Sequence, residues 1–406
     1  MYDALVIGAR CAGAPTALLL ARKGYRVLLV DKARFPSDRL STHYLRLPGL
    51  ALLKRWGLLE RVTALNCPPL THFRFDFDSG VLSGAPLPFD DIHATYCPRR
   101  TVLDKLLVDA AVEAGAELRE GFLVQELCID GGRVTGAYGR LHGGTREKLH
   151  ARMVIGADGL HSLVARSMQA PTYNTRPNFG CAYYAYWSGV PHMGVEVYLR
   201  DQRALVLFPT NDGCVVVYVA WPYQEFARYR ADLENNYLQT LDLVPELSAR
   251  IRSGRREGRF HGTADMPNFF RRPYGSGWAL VGDAGYHKDP AQAFGITDAF
   301  RDAELLTEAL DAGWSGKQSL DEALAGYEQR RNEVAFPLYD LTCQIASFEP
   351  RPPELEQLLQ ALSSNPAETA RFLAVMEGIV PIHEFFAPAN VARILSQSGY
   401  SGLHKG

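Results

Sequence analysis

Three separated segments of this chain carry the residue types that could recognise a nucleotide. The first lies at residues 8–13, the second at residues 156–159, and the third at residues 282–285, with Pro290 and Gly295 shortly after it. Glycines let backbone N–H groups approach a phosphate, and a neighbouring carboxylate can accept hydrogen bonds from sugar hydroxyls. We therefore expect the three segments to build one nucleotide site.

The opening residues predict a strand, a tight glycine turn and a helix. Apolar residues 4–7 form the strand, Gly8 breaks it, and Gly13 begins a helix whose N-terminal dipole favours a pyrophosphate. Asp31 ends the second strand. Its separation from Gly8 is close to the roughly 20 residues at which an acidic residue binds a ribose. Arg10 stands where the usual pattern has its second glycine, so an ordinary core strand and helix remain the alternative.

Together with residues 100–104, these segments resemble the FAD-dependent monooxygenases of the p-hydroxybenzoate hydroxylase fold. The resemblance covers the first three quarters of the chain and extends to geranylgeranyl reductases and flavin-dependent halogenases. It implies FAD as the cofactor and NADH or NADPH as a transient electron donor. The cofactor-binding residues that it implies are Gly8, Arg10, Gly13, Asp31, Lys32, Ser41, Arg100, Asp158, Asp283, Pro290, Gly295 and Ile296.

The resemblance also implies individual roles for these residues. Asp283 would hold the ribityl chain, and Pro290 would lie near the isoalloxazine ring. A helix opening at Gly295 and Ile296 would direct N–H groups at the flavin edge that becomes negative on reduction. Asp158 would hold loops near the pyrophosphate, with a surface turn in which Asp158 caps the next helix as the alternative.

Two further segments supply candidate side chains for the flavin and the substrate. Arg100 begins a predicted helix where the family has an arginine against the flavin, and Arg99 or a solvated arginine is the alternative. Residues 41–43 follow the second strand in a loop that runs past the flavin in the family, or they cap a predicted helix at residues 44–56. His287 and His43 are candidates for a base that takes a phenolic proton, with hydrogen-bonded scaffold roles as the alternative.

Between the second and third segments the chain alternates in the manner of strands. Residues 181–190, 194–199, 204–208 and 213–220 are rich in β-branched and aromatic side chains and predict an antiparallel sheet. Only about half of these aromatic side chains can face a pocket, because alternate residues point to opposite faces. The candidate substrate-pocket residues are Tyr184, Tyr186, Phe208 and Tyr218, with plain packing as the alternative.

The elements together predict an α/β fold with three parts. These are an FAD-binding Rossmann-like domain of the glutathione-reductase type, an inserted antiparallel-sheet substrate domain, and a C-terminal helical region. The expected boundaries are 1–72, 96–170 and 275–340 for the first, 73–95 and 171–274 for the second, and 341–406 for the helical cap. A chain of 406 residues is long enough for more than one domain.

Composition limits the classes of partner. A net charge of −2 argues against nucleic acid, which normally requires a basic excess. The seven cysteines show no C-x-x-C or zinc spacing, and the eleven histidines form no ligand pair, so no metal is expected. No apolar stretch approaches the roughly 20 residues of a membrane span, and no leader precedes the first strand. We expect a cytoplasmic protein that binds a small molecule and O2, with a homodimer left open.

The residue pattern at positions 204–209 differs between members of this family that catalyse different reactions. Halogenases have W-x-W-x-I-P there, but this chain lacks both tryptophans and has no lysine between Lys54 and Lys105 to relay a halogen. Geranylgeranyl reductases have Y-x-W-x-F-P, of which Phe208 and Pro209 remain. Escort proteins for prenylated GTPases share the fold without the flavin contacts, and the retained flavin motifs disfavour them.

The sequence therefore predicts a single-component FAD monooxygenase. It would use NAD(P)H and O2 to hydroxylate or epoxidise a hydrophobic, aromatic small molecule. The resemblance implies a flavin C4a-hydroperoxide that is protected in a water-poor pocket. No second glycine-rich nucleotide motif is present, so we expect the nicotinamide to bind transiently over the FAD domain. A reductase of the geranylgeranyl reductase type is the main alternative.

Overall fold

The computed structural model describes residues 1–397, which form parallel and antiparallel sheets together with helices. The strands are β1 (Tyr2–Ile7), β2 (Val27–Asp31), β3 (Phe73–Asp76), β4 (Val81–Gly84), β5 (Glu117–Glu120), β6 (Phe122–Asp130), β7 (Arg133–Leu141), β8 (Glu147–Gly156), β9 (Thr172–Arg176), β10 (Gly180–Ser188), β11 (Val195–Arg200), β12 (Arg203–Pro209), β13 (Cys214–Pro222), β14 (Arg255–Thr263), β15 (Asn268–Arg271), β16 (Tyr274–Gly275), β17 (Trp278–Leu280) and β18 (Tyr286–His287). The helices are α1 (Gly13–Arg22), α2 (Leu47–Arg55), α3 (Leu59–Thr63), α4 (Arg100–Glu113), α5 (Leu163–Ser167), α6 (Phe226–Ala231), α7 (Leu233–Leu241), α8 (Pro245–Ser253), α9 (Gly295–Trp314), α10 (Leu320–Ala346), α11 (Pro353–Ser363), α12 (Pro366–Met376), α13 (Ile382–Phe385) and α14 (Pro388–Gln397).

One compact unit consists of residues 1–43, 99–177 and 267–339. Its main sheet runs β17-β8-β1-β2-β5 with all of these strands parallel, and β6 and β7 extend it from β8 as an antiparallel meander. The central strands β1 and β2 are almost wholly apolar because both faces of the sheet are covered. Helix α1 packs against α4 and α9, while Leu5 and Val30 pack with Phe122 of β6 in a core that the meander and α5 complete.

The second unit consists of residues 44–98, 178–266 and 340–406 as far as they are described. Its seven-stranded sheet runs β14-β10-β13-β12-β11-β3-β4 and is antiparallel except between β11 and β3. Helices α6, α7 and α8 cover one face through a core that includes Trp221, Tyr237 and Leu247. Helices α11 to α14 form a separate core with Phe77 and Leu82 from the β3–β4 hairpin.

The predicted fold class is confirmed, with a Rossmann-like parallel sheet, an inserted antiparallel sheet and a helical C-terminal region. The prediction of a helix at residues 44–56 was wrong at its start. Leu45 pairs with Tyr96 in an isolated bridge, and the helix begins at Leu47 with Pro48 in its first turn, a position that proline favours. The compact units divide the chain at residues other than the predicted domain boundaries, which remain a prediction. Within residues 1–397, no helix is both long and apolar enough to cross a membrane.

A buried ion pair fixes the end of helix α12 within the second unit. Glu377, which is 2% exposed, accepts hydrogen bonds from the Tyr44 hydroxyl at 2.8 Å and from Arg46 Nη1 at 2.7 Å. The Leu47 N–H donates to its second oxygen at 3.3 Å. Burial raises the pKa of Tyr44 well above its usual value, and the Glu377 charge acts in the same direction, so the phenol stays protonated as a donor.

We predict that Glu377→Ala destabilises the protein by about 3–5 kcal/mol, because it leaves the buried Arg46 charge without its carboxylate. The measurement is the urea midpoint of unfolding, with Glu384→Gln, a change of an exposed glutamate, as the control. Equal midpoints for the two variants would contradict this role for Glu377.

Candidate functional site

The turn between β1 and α1 depends on close backbone contacts. Gly8 has a φ of +102°, and its N–H donates to the Val30 carbonyl at 2.8 Å. A Cβ on Gly8 would lie 2.4 Å from the Ala157 carbonyl oxygen, and a Cβ on Gly13 would lie 1.7 Å from the Gly8 carbonyl oxygen. Glycine alone fits at both positions. The start of α1 therefore lies against the carboxyl ends of β1 and β8, where the sequence predicted a pyrophosphate site.

Asp31 closes the same turn from the end of β2. Its two carboxylate oxygens accept hydrogen bonds from the backbone N–H groups of Ala9 and Ala33, each at 2.8 Å. The side chain thus fixes the turn, and each oxygen keeps a lone pair with which to accept a ribose hydroxyl. The adjacent Lys32 is exposed.

Arg10, which replaces the usual second glycine, belongs to a cluster around a buried carboxylate. Its Nη1 donates to Asp104 Oδ2 at 2.6 Å, and its Nη2 donates to Ser37 Oγ at 2.8 Å. Arg100 Nε donates to the other Asp104 oxygen at 2.8 Å. Because two guanidinium groups share one carboxylate, the cluster keeps an excess positive charge beside the glycine turn, which favours an anion there.

The two candidate arginines at the start of α4 have different environments. Arg100 is buried, and although burial opposes its charge, the nearby Cys11, Asp104 and Asp283 raise its pKa. Arg99 instead forms an ion pair with Asp38 at 3.5 Å. Arg100 is therefore the arginine that shares electrostatic surroundings with the Gly-Asp segment.

The Gly-Asp segment and the start of α9 border a small pocket. The residues that line it are Gly282, Asp283, Tyr286, His287, Lys288, Gly295 and Asp298. Asp283 and Gly295 are exposed, so a carboxylate and the beginning of a helix are accessible in one place, while Ile296 is buried behind them. A Cβ on Gly282 would lie 2.8 Å from the Ala12 Cβ, which brings this third segment against the first.

The second segment lies next to the same turn, because the Ala157 N–H donates to the Ile7 carbonyl at 2.8 Å. Asp158 Oδ2 accepts the Leu163 N–H at 2.6 Å, and Ser162 Oγ accepts the Ala165 N–H at 3.0 Å. Burial raises the pKa of Asp158. Asp158 and Ser162 thus both bond to N–H groups of α5, as the alternative capping interpretation expects. The buried Asp158 Oδ1 has no hydrogen-bond partner among the described residues.

The two candidate histidines lie in different surroundings. His287 Nδ1 donates to the Pro267 carbonyl oxygen at 2.6 Å, and its ring stacks on Phe269. A carbonyl oxygen only accepts, so Nδ1 carries the proton, and in the neutral ring Nε2 is then an acceptor. His43 is fully buried with a φ of +63°, and its backbone N–H donates to Ser41 Oγ at 3.0 Å. His43 does not line the pocket that His287 borders.

Pro290 begins a short 3₁₀ turn that ends at Gln292, and a buried carboxylate caps this turn. Asp289 Oδ1 accepts the Ala291 N–H at 2.9 Å, while the buried Oδ2 has no hydrogen-bond partner among the described residues. Burial raises the pKa of Asp289 to about 7, against the opposing effect of the Ala291 hydrogen bond. Asp289 is therefore a second perturbed carboxyl beside the predicted flavin position.

Lys288 and Asp298 line the pocket behind the exposed residues and belong to a charged cluster that the sequence patterns did not indicate. Lys288 pairs with Asp298, whose other oxygen accepts Arg301 Nη1 at 2.7 Å. Arg301 Nη2 donates to Asp302 at 2.8 Å and to the Tyr286 hydroxyl at 2.9 Å. The available signal was the set of three charges at positions 298, 301 and 302 on the otherwise apolar face of α9.

The register of the second unit's sheet sorts its aromatic side chains onto two faces. Tyr184 pairs with Tyr218, while Tyr186 and Phe208 both pair with Val216. Directly opposed residues share a face of an antiparallel sheet, so all four candidate pocket residues lie on one face. Tyr183, Trp187, Tyr198 and Trp221 lie on the other face, in the core with α6 to α8.

His261 lies on the same face as the four candidates and was missed by the sequence analysis. It pairs with Tyr184 across β10 and β14, and the two rings stack with centroids 5.1 Å apart. Tyr186 meets the His261 ring edge-on at 5.9 Å. Only the strand register could identify His261, because its strand is the least apolar of the sheet and a bulge interrupts its pairing with β10. No group of three or more metal-ligating side chains occurs in the part of the chain that the structure describes.

Comparison with known proteins gives three results. A family model described as FAD binding domain matches residues 1–342. The chain is 24% identical over 407 residues to a digeranylgeranylglycerophospholipid reductase of Methanosarcina acetivorans, covering 93% of each chain, and 26% identical over 382 residues to a rifampicin monooxygenase of Streptomyces venezuelae, covering 89% of this chain and 75% of the relative. The fold is similar to that of the flavin-dependent brominase Bmp2, with a TM-score of 0.81 at 20% identity over 99% of this chain and all of that one.

We predict that the contribution of Asp289 to the stability of the protein falls as pH rises from about 4 to about 7. Its folded pKa of about 7 lies above the roughly 3.9 of an unfolded aspartate, so in this window the folded chain holds a proton that the unfolded chain has lost. Asp289→Asn keeps the capping oxygen but cannot ionise.

The free energy of unfolding of Asp289→Asn relative to the natural protein should therefore rise by up to about 4 kcal/mol across this window and stay level above pH 7. Urea unfolding of both proteins at several pH values measures this difference. A difference that does not change with pH would contradict a protonated Asp289.

Proposed function

Because the chain belongs to the FAD binding domain family, we propose that it is a single-component monooxygenase that hydroxylates or epoxidises a hydrophobic, aromatic small molecule with NAD(P)H and O2. Membership of this family makes the protein an FAD-dependent enzyme. The reaction and the substrate class are our proposal. The observation that carries it is the aromatic face formed by Tyr184, Tyr186, Phe208 and Tyr218.

The described residues fit FAD in both charge and shape. Gly8 and Gly13 bring the start of α1 against the strand ends, and the positive cluster of Arg10, Asp104 and Arg100 lies beside them. Asp283 presents an exposed carboxylate to accept hydroxyl groups. When bound, FAD would supply hydride acceptance and oxygen activation, while the chain supplies orientation and enclosure. The proposed FAD-binding residues are Gly8, Arg10, Gly13, Asp31, Lys32, Ser41, Arg100, Asp158, Asp283, Pro290, Gly295 and Ile296.

The aromatic face is suited to a planar, apolar substrate. The side chains of Tyr184, Tyr186, Phe208 and Tyr218 lie on adjacent strands, and each is less than a tenth exposed. Their opposite face is already filled by the core with α6 to α8, so these rings are not needed for that core. Aromatic walls bury a planar ring through stacking and edge-to-face contacts. Tyrosine hydroxyl groups on the same face would orient polar substituents.

We propose that a histidine accepts the substrate proton. His287 Nε2 can accept a substrate proton, because its Nδ1 proton is already committed to Pro267. His43 is the second candidate. NADH or NADPH would deliver hydride from a transient position, since the sequence has no second glycine-rich nucleotide motif. The proposed partners are the small substrate and O2, the proposed location is the cytoplasm, and a homodimer is the oligomer to test.

A reductase of the geranylgeranyl reductase type is the second candidate. The observation that favours it is the similarity to the Methanosarcina acetivorans reductase, which extends over 93% of both chains. Against it, only Phe208 and Pro209 match the reductase pattern at residues 204–209. The absence of both tryptophans from residues 204–209 disfavours a halogenase.

The reaction type can be tested in a stopped-flow experiment on the FAD-loaded protein. The flavin is reduced anaerobically with NADPH or NADH and mixed with oxygenated buffer, with and without a panel of phenols and other aromatics. We expect a transient species whose absorbance spectrum differs from those of reduced and oxidised FAD. We also expect one atom of ¹⁸O from ¹⁸O₂ in the product. Direct reoxidation without a transient, together with oxygen-independent reduction of a prenyl alkene, would instead establish the reductase.

We predict that Asp283→Ala weakens FAD binding roughly ten- to hundredfold, the cost of losing one charge-assisted hydrogen bond of about 1.5–3 kcal/mol. Titration of the apoprotein with FAD, followed by flavin fluorescence, measures the dissociation constant. Asp201→Ala, which removes an exposed carboxylate from the second unit, is the matched control and should bind like the natural protein. Unchanged FAD affinity in Asp283→Ala would remove Asp283 from the cofactor site.

A further inference from the structure

Lys288 is a buried lysine whose position the proposed reaction does not yet explain. It is 8% exposed, and it lines the same pocket as Asp283 and Gly295. Its ammonium pairs with the buried carboxylate of Asp298, and the Tyr286 hydroxyl lies 3.4 Å from it. A buried lysine is rare because removing an ammonium from water is costly.

Structural stability alone is a weak explanation for this lysine. A buried ion pair is often replaced by apolar side chains of similar volume with no loss of stability. Asp298 also pairs with Arg301 at 2.7 Å, so Lys288 is not its only cationic partner among the described residues. Burial lowers the pKa of Lys288 and the Asp298 charge opposes that effect, so the pair holds a cation at the pocket wall at a cost.

The Lys288 ammonium is at the wall of the pocket in which the proposed cofactor would gain negative charge. FAD that takes up two electrons and one proton carries one additional negative charge. The pocket that Lys288 lines also contains the exposed start of α9, where helix N–H groups favour an anion. Lys288 is itself buried, and a fixed cation that is shielded from water stabilises such a charge more strongly than a cation in solvent.

We propose that Lys288 is a redox-tuning residue that stabilises the reduced form of FAD, with Asp298 as the residue that positions it. This inference rests on the proposed function, because it requires FAD in the pocket beside Asp283. It also assigns opposite effects to the two members of the pair. Lys288 favours reduced FAD, and the Asp298 carboxylate opposes it.

The test is the two-electron midpoint potential of FAD bound to Lys288→Met and Asp298→Asn, measured by dye-coupled reduction. Lys288→Met removes the cation, and Asp298 keeps Arg301 as a partner. We expect a shift of at least tenfold toward oxidised FAD, which is about 30 mV for a two-electron couple. Asp298→Asn leaves Lys288 without its anion, so we expect a shift of similar size toward reduced FAD.

A purely structural role predicts a different pattern, because both variants break the same ion pair. Shifts of equal sign, or no shift in either variant, would overturn the inference. Lys288→Arg keeps the charge and should retain the potential of the natural protein. If Lys288→Met does not fold, Lys288→Arg and Asp298→Asn together test whether the charge at this position sets the potential. Lys23→Met breaks an exposed ion pair outside the pocket and should leave the potential unchanged. Failure of the natural protein to bind FAD would instead overturn the proposed function.

Discussion

The close approach of three strand ends is the constraint on which the candidate site depends. Gly8 and Gly13 leave no room for a Cβ, since the nearest backbone oxygens would lie 2.4 Å and 1.7 Å away. This contact sets the start of α1 and the place of Asp31, whose carboxylate closes the turn. It also brings Ala157 and the second segment to the first. The glycine turn, Asp31 and the second segment, all proposed to bind FAD, are thus brought together by backbone packing and by the Asp31 carboxylate.

Strand register has the same importance in the second unit. Alternation along β10 sends Tyr183 and Trp187 into the core with helices α6 to α8, and Tyr184 and Tyr186 to the other face. Pairing with β13, β12 and β14 then adds the remaining aromatic side chains and His261 to that face. A slip of one residue would exchange the two sets, so the helix-covered core fixes which rings lie on the opposite face, where a substrate is proposed to bind.

Buried charge is concentrated where the flavin is proposed to bind. The Arg10, Asp104 and Arg100 cluster lies beside the glycine turn, and Lys288 pairs with Asp298 at the pocket wall. Such groups lose hydration that their partners only partly replace, so they contribute little to stability. Their placement is readily understood if they act on a charged cofactor, because electrostatic interactions strengthen where water is excluded.

The sequence by itself determined the family and the fold class, because glycine turns, strand periodicity and the Gly-Asp segment are local patterns. The family model confirms that resemblance over residues 1–342. The roles of individual site residues remain predictions. Tertiary structure alone decided which aromatic rings share a face, that Arg10 pairs with Asp104, and that Lys288 meets Asp298. Those contacts join residues that different elements bring together, and no local pattern encodes the packing that makes them neighbours.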